Sequence, residues 1–164
     1  MISAIACIDE KWGIGNKGEL LFYIPDDQRF FKHMTENSTV IMGRKTWESL
    51  PIRPLPKRNN IVISNQVNGK YDGAIFMSLE EIKNILNNVN EDDDYFIIGG
   101  GQIYKELLPY CESVFLTHVH KTVEADTFFP KLDNKWTPNE LSQYRFYDKL
   151  SYQFIEWVKD YEKL

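Results

Sequence analysis

The chain opens on an almost unbroken apolar run, Ile2–Ile8, with small residues interspersed. A run of that length without polar alternation predicts a central strand buried on both faces. Asp9 and Glu10 follow at once and no basic leader precedes it, so it reads as a strand rather than a signal peptide. Pro25–Thr35 reads as a helix, with Pro25 suited to the first helical position. Residues 39–42 form a short strand, Gly43 turns the chain, and a helix runs to about Leu50. Residues 61–64 and Ala74–Met77 read as strands. Ser78 opens a helix with Glu81 at capping-box spacing, and Leu79, Ile82, Ile85, Leu86 and Val89 form its apolar face. Residues 95–98 predict a strand, 99–101 a sharp turn, and 102–108 a helix stopped by Pro109. Residues 114–119 make another strand. Strands at 143–147 and 153–159 read as an antiparallel hairpin.

This alternation predicts an α/β fold. We expect one domain over residues 1–164, with a central, mostly parallel eight-stranded sheet, a C-terminal antiparallel hairpin and helices on both faces. Such sheets bind ligands beyond the carboxyl ends of their strands, so the informative residues should lie just after the strands.

Composition narrows the class. At 164 residues and 43% hydrophobic, the chain can bury one sizeable core. No apolar run approaches the ~20 residues of a membrane helix. Cys7 and Cys111 are far apart and form no metal-spaced pair, which fits a reducing, cytoplasmic setting. The net charge of −5 argues against a general nucleic-acid binder. His118 and His120 share a strand face, but no third ligand is in sight, so no metal is expected.

Three glycine clusters follow strands. Gly13-Ile14-Gly15-Asn16-Lys17-Gly18 spells a dinucleotide fingerprint, yet it runs toward Pro25 instead of opening a helix. A mobile loop beside the site is the expectation. Met42-Gly43-Arg44-Lys45-Thr46 joins a strand to a helix N-terminus whose free N–H groups suit an anion. An ordinary turn carrying two surface bases is the plainer alternative. Ile98-Gly99-Gly100-Gly101-Gln102 suggests close approach of a ligand to bare backbone. Two such turns after parallel strands could grip one pyrophosphate. The neutral Ser64-Asn65-Gln66 stretch, together with Arg44, favours a 2′-phosphate and hence NADPH over NADH.

Asp27 is the carboxylate singled out for chemistry. It shares a helix face with Phe30, Phe31 and Met34, at i, i+3, i+4 and i+7. Asp26 lies nearer Arg29 and His33, on the wetter side. A poorly hydrated carboxylate should have a raised pKa and pair well with a protonatable nitrogen heterocycle. A simple N-terminal acid of the helix is the alternative.

Taken together, these residues resemble the bacterial dihydrofolate reductases over nearly the whole chain. The resemblance rests on Val40-Ile41-Met42-Gly43-Arg44 with Thr46-Trp47-Glu48-Ser49, on Arg53-Pro54-Leu55-Pro56 with Arg58-Asn59-Asn60, on Ile98-Gly99-Gly100-Gly101 with Tyr104, and on Asp126-Thr127 with Phe129-Pro130. It implies hydride transfer from NADPH to 7,8-dihydrofolate. By that likeness Asp27 meets the pterin edge and Thr117 hydrogen-bonds Asp27. Ile5, Phe31, Leu50 and Ile98 line the substrate pocket. Arg58 forks onto the glutamate carboxylate, with Arg53 nearby. Ala6, Ile14, Ile103, Tyr104 and the Gly99–Gly100 pair, joined by a cis peptide, border the nicotinamide. Gly43, Arg44, Lys45, Thr46, Ser64, Gly101 and Gln102 take the rest of the cofactor. An adenosine-binding subdomain at about 39–92, antifolate-like ligands and a monomeric state are also implied.

The chain departs from the family at Leu21-Phe22, where Pro-Trp is usual. Phe22 sits at the catalytic carboxylate without the indole N–H that helps hold a water there. Gln102 stands where relatives often carry a base, and one extra residue lengthens the chain near Pro51-Ile52. The rival readings are a pyrimidine-type reductase on the same fold, and a non-catalytic folate or nucleotide-binding module.

Overall fold

In the computed structural model, which describes residues 1–163, the elements follow one another as β1 (Ile2–Ile8), β2 (Gly13–Asn16), β3 (Glu19–Leu20), α1 (Pro25–Thr35), β4 (Thr39–Gly43), α2 (Arg44–Ser49), β5 (Asn59–Ile63), β6 (Gly69–Tyr71), β7 (Ala74–Met77), α3 (Leu79–Leu86), β8 (Tyr95–Gly99), α4 (Gly101–Leu107), β9 (Ser113–Val119), β10 (Thr127–Phe128), β11 (Trp136–Leu141), β12 (Arg145–Tyr147) and β13 (Leu150–Lys159). Leu164, the last residue of the expected domain, lies outside the described residues.

The main sheet runs β11-β13-β9-β1-β8-β4-β5-β7-β6, with β12 also on β13. The strands from β9 to β7 pair in parallel, while β6, β11, β12 and β13 are antiparallel additions. This is the expected mixed, mostly parallel α/β sheet. It has ten strands rather than eight, because β6 and β11 were missed. β6 has only three residues. β11, Trp-Thr-Pro-Asn-Glu-Leu, is largely exposed and shows no apolar alternation, so it is a strand only because β13 offers it an edge.

Alternation along the parallel strands splits the core between two faces. Ile41 of β4 joins Ile61, Ile97 and Leu116 in one cluster, covered by Ile82 and Leu86 of α3 and Leu107 of α4. Val40 and Met42 point the other way with Ile5, Val62 and Phe96, covered by Trp47 of α2 and by Phe30, Phe31 and Met34 of α1. Helices therefore cover both faces, as expected. The capping box of α3 is present in both directions, Ser78 Oγ accepting from the Glu81 amide and Glu81 Oε1 from the Ser78 amide. The helix ends at Leu86, so Val89 packs on the core from beyond it.

The segment expected to be a mobile loop is not bare loop. β2 and β3 pair as a hairpin, and β10 pairs with β2, giving a separate three-stranded sheet. Sequence alternation could not reveal it, because glycine carries no side chain to alternate and β3 and β10 have two residues each.

Candidate active site

α1 starts where Ile24, 2% exposed, plugs into the core beside Val119 and Tyr152. Pro25 opens the helix, and Asp26 and Asp27 fall in its first turn, where the helix dipole favours acids. The facing derived from the sequence holds. Phe30 stacks on Phe154 of β13 at 4.5 Å, and Phe31 and Met34 pack on the second cluster. Asp27 lies on that same face, over β1 and β9, and the Thr117 hydroxyl donates to its Oδ1. Asp26 points elsewhere. It accepts from Tyr152 at 3.0 Å and Arg145 at 3.2 Å, with Arg29 at 3.8 Å. His33, expected near it, is not among these partners.

Burial pushes the Asp27 carboxyl above its ordinary range. The hydrogen bond from Thr117 and the neighbouring Cys7 thiol pull it back, and the charge of Asp26 adds to the rise. A cavity of about 30 Å³, roughly the space of one water, lies against Asp27. Cys7, Ile14, Leu20, Leu21, Phe22, Ile24 and Gln28 line its remaining walls. The hairpin that carries Ile14 and Leu20 therefore borders the carboxylate, and Phe22 offers it only a ring. This arrangement can hold a proton, or share one with a bound base, in a place that water reaches poorly.

The hairpin is anchored from outside. Asp126 Oδ2 accepts from the Lys17 amide at 2.9 Å, and the Asp126 amide donates to the Gly15 carbonyl at 3.0 Å. Asp9, only 2% exposed, accepts from the amides of Lys11, Gly13 and Val123 at 2.9, 2.7 and 3.2 Å.

Farther along α1, Arg58 is already aimed. Its Nε donates to the Pro56 carbonyl at 2.8 Å and a terminal nitrogen to Thr35 Oγ1 at 3.0 Å, with the guanidinium carbon 6.0 Å from the Phe31 ring centre. Remaining N–H groups can fork onto a carboxylate. Leu50 is half-buried on the second cluster, as is Ile98. Arg53 is exposed and lies over Trp47 at 5.6 Å.

The two glycine turns meet. Gly43 caps α2 and Gly100 caps α4, both in extended conformation. The Gly99–Gly100 peptide is cis. Gly99 has φ +135°, and a side-chain carbon there would lie 3.3 Å from Thr46 Oγ1. One on Gly43 would lie 3.1 Å from Ile103. Around Gly100 the nearest such atom is Thr46 Oγ1 at 3.6 Å, so its backbone can be approached closely. Gly101 differs: a side-chain carbon there would meet Thr127 at 3.0 Å and the Phe128 carbonyl at 3.1 Å. Packing against β10 therefore requires a glycine at this position, whatever else approaches its backbone. The Gln102 side chain donates along its own helix to Glu106 at 3.2 Å. Tyr104 is buried and donates to the Ile5 carbonyl at 2.7 Å, tying α4 to β1 next to Ala6.

A second cleft, of about 230 Å³, is lined by Arg44, Ile63, Ser64, Asn65 and Gln66. It holds one cation and no acid, which suits an anionic group. Arg44 also pairs with Glu48 at 3.9 Å, and Lys45 is exposed at the start of α2. Together with the open Gly100 backbone, this surface fits a phosphate-bearing dinucleotide.

The dihydrofolate reductase family model matches residues 1–159. The chain belongs to the dihydrofolate reductase family. It is an enzyme of NADPH-dependent dihydrofolate reduction. The dihydrofolate reductase of Neisseria meningitidis serogroup A is 38% identical over 160 residues, covering 96% of this chain and 98% of that one. The one from Buchnera aphidicola is 38% identical over 156 residues, covering 88% and 94%. Among solved structures, the dihydrofolate reductase from Enterococcus faecalis complexed with NADP(H) and RAB-propyl superposes with a TM-score of 0.86 at 32% identity, covering 98% of this chain and 96% of that one.

Several residues of this reductase's site were not foreseen. Cys7 stands two positions after Ile5 on β1, so strand period alone would have put both on one face. Thr35 follows Asp27 and Phe31 at steps of four, so helix period would have placed it on their face of α1. Asp9 and Asp126 had no such signal, because their partners are backbone amides of distant segments. His118 accepts from the Trp157 indole at 3.2 Å, and burial pushes its pKa down to about 4. Among the described residues no group of three His, Cys, Asp or Glu is placed to hold a metal.

Proposed function

We propose that Asp27 supports protonation of dihydrofolate as it is reduced to 5,6,7,8-tetrahydrofolate, with Arg58 and the glycine turns holding the two ligands in register. The observation that carries this reading is a carboxylate of raised proton affinity, gripped by Thr117 inside an apolar cleft. Its free oxygen can receive the amidine-like edge of a pterin. Poor hydration keeps a proton within reach of the ring nitrogen next to the reacting carbon. Antifolate-like ligands presenting the same edge would use the same carboxylate.

Phe31, Leu50, Ile5 and Ile98 give the heterocycle and its benzoyl extension apolar walls. Arg58, pre-aimed by Thr35 and Pro56, takes the glutamate carboxylate with little ordering cost. The Enterococcus faecalis relative is complexed with NADP(H). By that likeness NADPH would lie across Ala6, Ile14, Gly99, Gly100 and Tyr104. Its phosphates would meet Gly43, Thr46 and the α2 and α4 N-termini, and Arg44, Lys45 and Ser64 would face its 2′-phosphate. When bound, NADPH supplies the hydride. The chain's own residues press the reacting rings together, exclude water and hold the proton. These groups form a complete site within one copy, and we read the protein as a monomer. Two free thiols support a reducing, cytoplasmic location. No helix among the described residues is long and apolar enough to cross a membrane.

NADPH oxidation followed optically, with and without dihydrofolate, tests the reading. We expect a dihydrofolate-dependent loss of absorbance that disappears when a variant lacks the Asp27 carboxylate. Turnover that ignores that change would assign the proton to another group.

A further inference from the structure

β1 and β9 run in parallel with Cys7 opposite Thr117 in register, so the two side chains project from the same side of neighbouring strands. That side faces the start of α1. Thr117 donates its hydroxyl proton to Asp27 Oδ1, and Cys7, beside Thr117 in register, lines the same small cavity as that carboxylate. Cys7 is only half-buried and forms part of the wall of the small cavity next to Asp27. In the rest of that wall only Gln28 carries a side-chain donor, and Phe22, Ile14, Leu20, Leu21 and Ile24 carry none. We infer that Cys7 is a positioning residue of the reductase: with Thr117 it forms a two-strand clamp that sets the orientation and proton affinity of Asp27.

This inference rests on Asp27 being the group that supports protonation. The chemistry of a thiol suits the task. An S–H is a weak donor, so it steadies the ionised carboxylate without locking it ionised. Two hydroxyls would bias Asp27 further toward its charged form, and an apolar residue would leave burial less opposed. Burial and the neighbouring carboxylate also push the Cys7 thiol well above its ordinary range, so it stays a donor across the working pH range. The other ionisable group acting on Asp27 is Asp26 from α1, while Asp27 in turn raises Tyr152 of β13 and Tyr104 of α4. Asp26 is itself held by Arg145, Arg29 and Tyr152. None of these hydrogen-bonds Cys7, so changing the thiol leaves them in place.

The experiment compares wild type with Cys7→Ser and Cys7→Ala. Each is labelled at the aspartate carboxyl carbon, and the Asp27 titration is read by NMR on the intact protein, with Asp27→Asn used to assign the signal. The pH profile of the chemical step is measured in parallel. The serine hydroxyl is the stronger donor and alanine donates nothing. The proton affinity of Asp27 should therefore rise in the order Ser, Cys, Ala, by roughly threefold to tenfold per step, and the pH profile should move with it. The S–H stretch isolated by subtracting Cys7→Ser from wild type should lie at the lower frequency of a bonded thiol and shift when Asp27 is protonated. If Cys7→Ala fails to fold, the serine variant and the S–H stretch in wild type still decide. An unchanged Asp27 titration across the variants that fold, or a free-thiol stretch, overturns the clamp. A normal Asp27 series with turnover indifferent to Asp27→Asn would instead overturn the role of Asp27 and leave the clamp standing.

Discussion

At Asp27, burial raises proton affinity while Thr117 and Cys7 lower it, and burial is the largest of these effects. The folded state therefore holds this proton more tightly than the unfolded chain does. An acid of that kind stabilises the fold fully below its unfolded value, near ~3.9, and that contribution is lost as pH rises through the folded value. Asp27→Asn should thus raise Tm by a few degrees at pH 8, with the gain shrinking toward pH ~4; thermal melts across pH will read this. Turnover should move the other way. Loss of a positioned proton source costs about 10²–10⁴-fold, and the residual rate should recover as the solution is acidified, because solvent can then supply the proton. Arg44 gives the second residue-scale prediction. It is the one cation in the wall of its cleft. Arg44→Ala should weaken NADPH by about 10–100-fold and hardly affect NADH, as measured by titration of each nucleotide. Equal losses would remove the 2′-phosphate from this cleft.

At the level of elements, the β2–β3 hairpin controls what borders Asp27. Its apolar anchorage is Ile14 of β2, buried in the first core, since β3 is exposed at both residues. Backbone hydrogen bonds hold it as well, through β10, Asp9 and Asp126. The Lys17 amide holds the Asp126 carboxyl below the usual carboxylate range, aided by Thr127. The sign is opposite to that of Asp27. This tie is present above the unfolded carboxylate value and is lost as pH falls through the lowered one. Asp126→Ala should speed amide exchange at Lys17 and its neighbours while leaving α3 unaffected. Hydrogen exchange read residue by residue checks it, and equal protection in both proteins would show that β10 alone holds the hairpin. The predicted helices came through with only their ends moved, because α1 and α3 carry an apolar stripe with a start signal and α2 and α4 follow a glycine turn. β2, β3 and β10 were not legible, because glycine and two-residue strands carry no period.

The whole molecule puts its main sheet between two cores, with the residues we propose for ligand binding beyond the carboxyl ends of its parallel strands. Leu116 is fully buried in the first core, where it joins Leu107 of α4 and, from much earlier in the chain, Ile82 and Leu86 of α3. Leu116→Ala should cost about 2–5 kcal/mol by cavity formation, seen as a lower denaturant midpoint with an unchanged slope; a loss under 1 kcal/mol would mean that the core collapses around the gap. At this scale the sequence and the fold divided the work. Residues alone determined the α/β class, the facing of Asp27 over Asp26 and the glycine turns after strands, because those follow from local period and backbone freedom. They also carried the motifs by which the family could be recognised. Tertiary structure decided the extra edge strands, the packing role of Gly101, the aim of Arg58 from Thr35 and Pro56, and the company Asp27 keeps. Thr117 and Cys7 stand 110 residues apart in sequence and side by side in register. The proton affinity of a carboxylate depends on which donors and how much water surround it. Those neighbours exist only once β1, β9 and α1 have packed together.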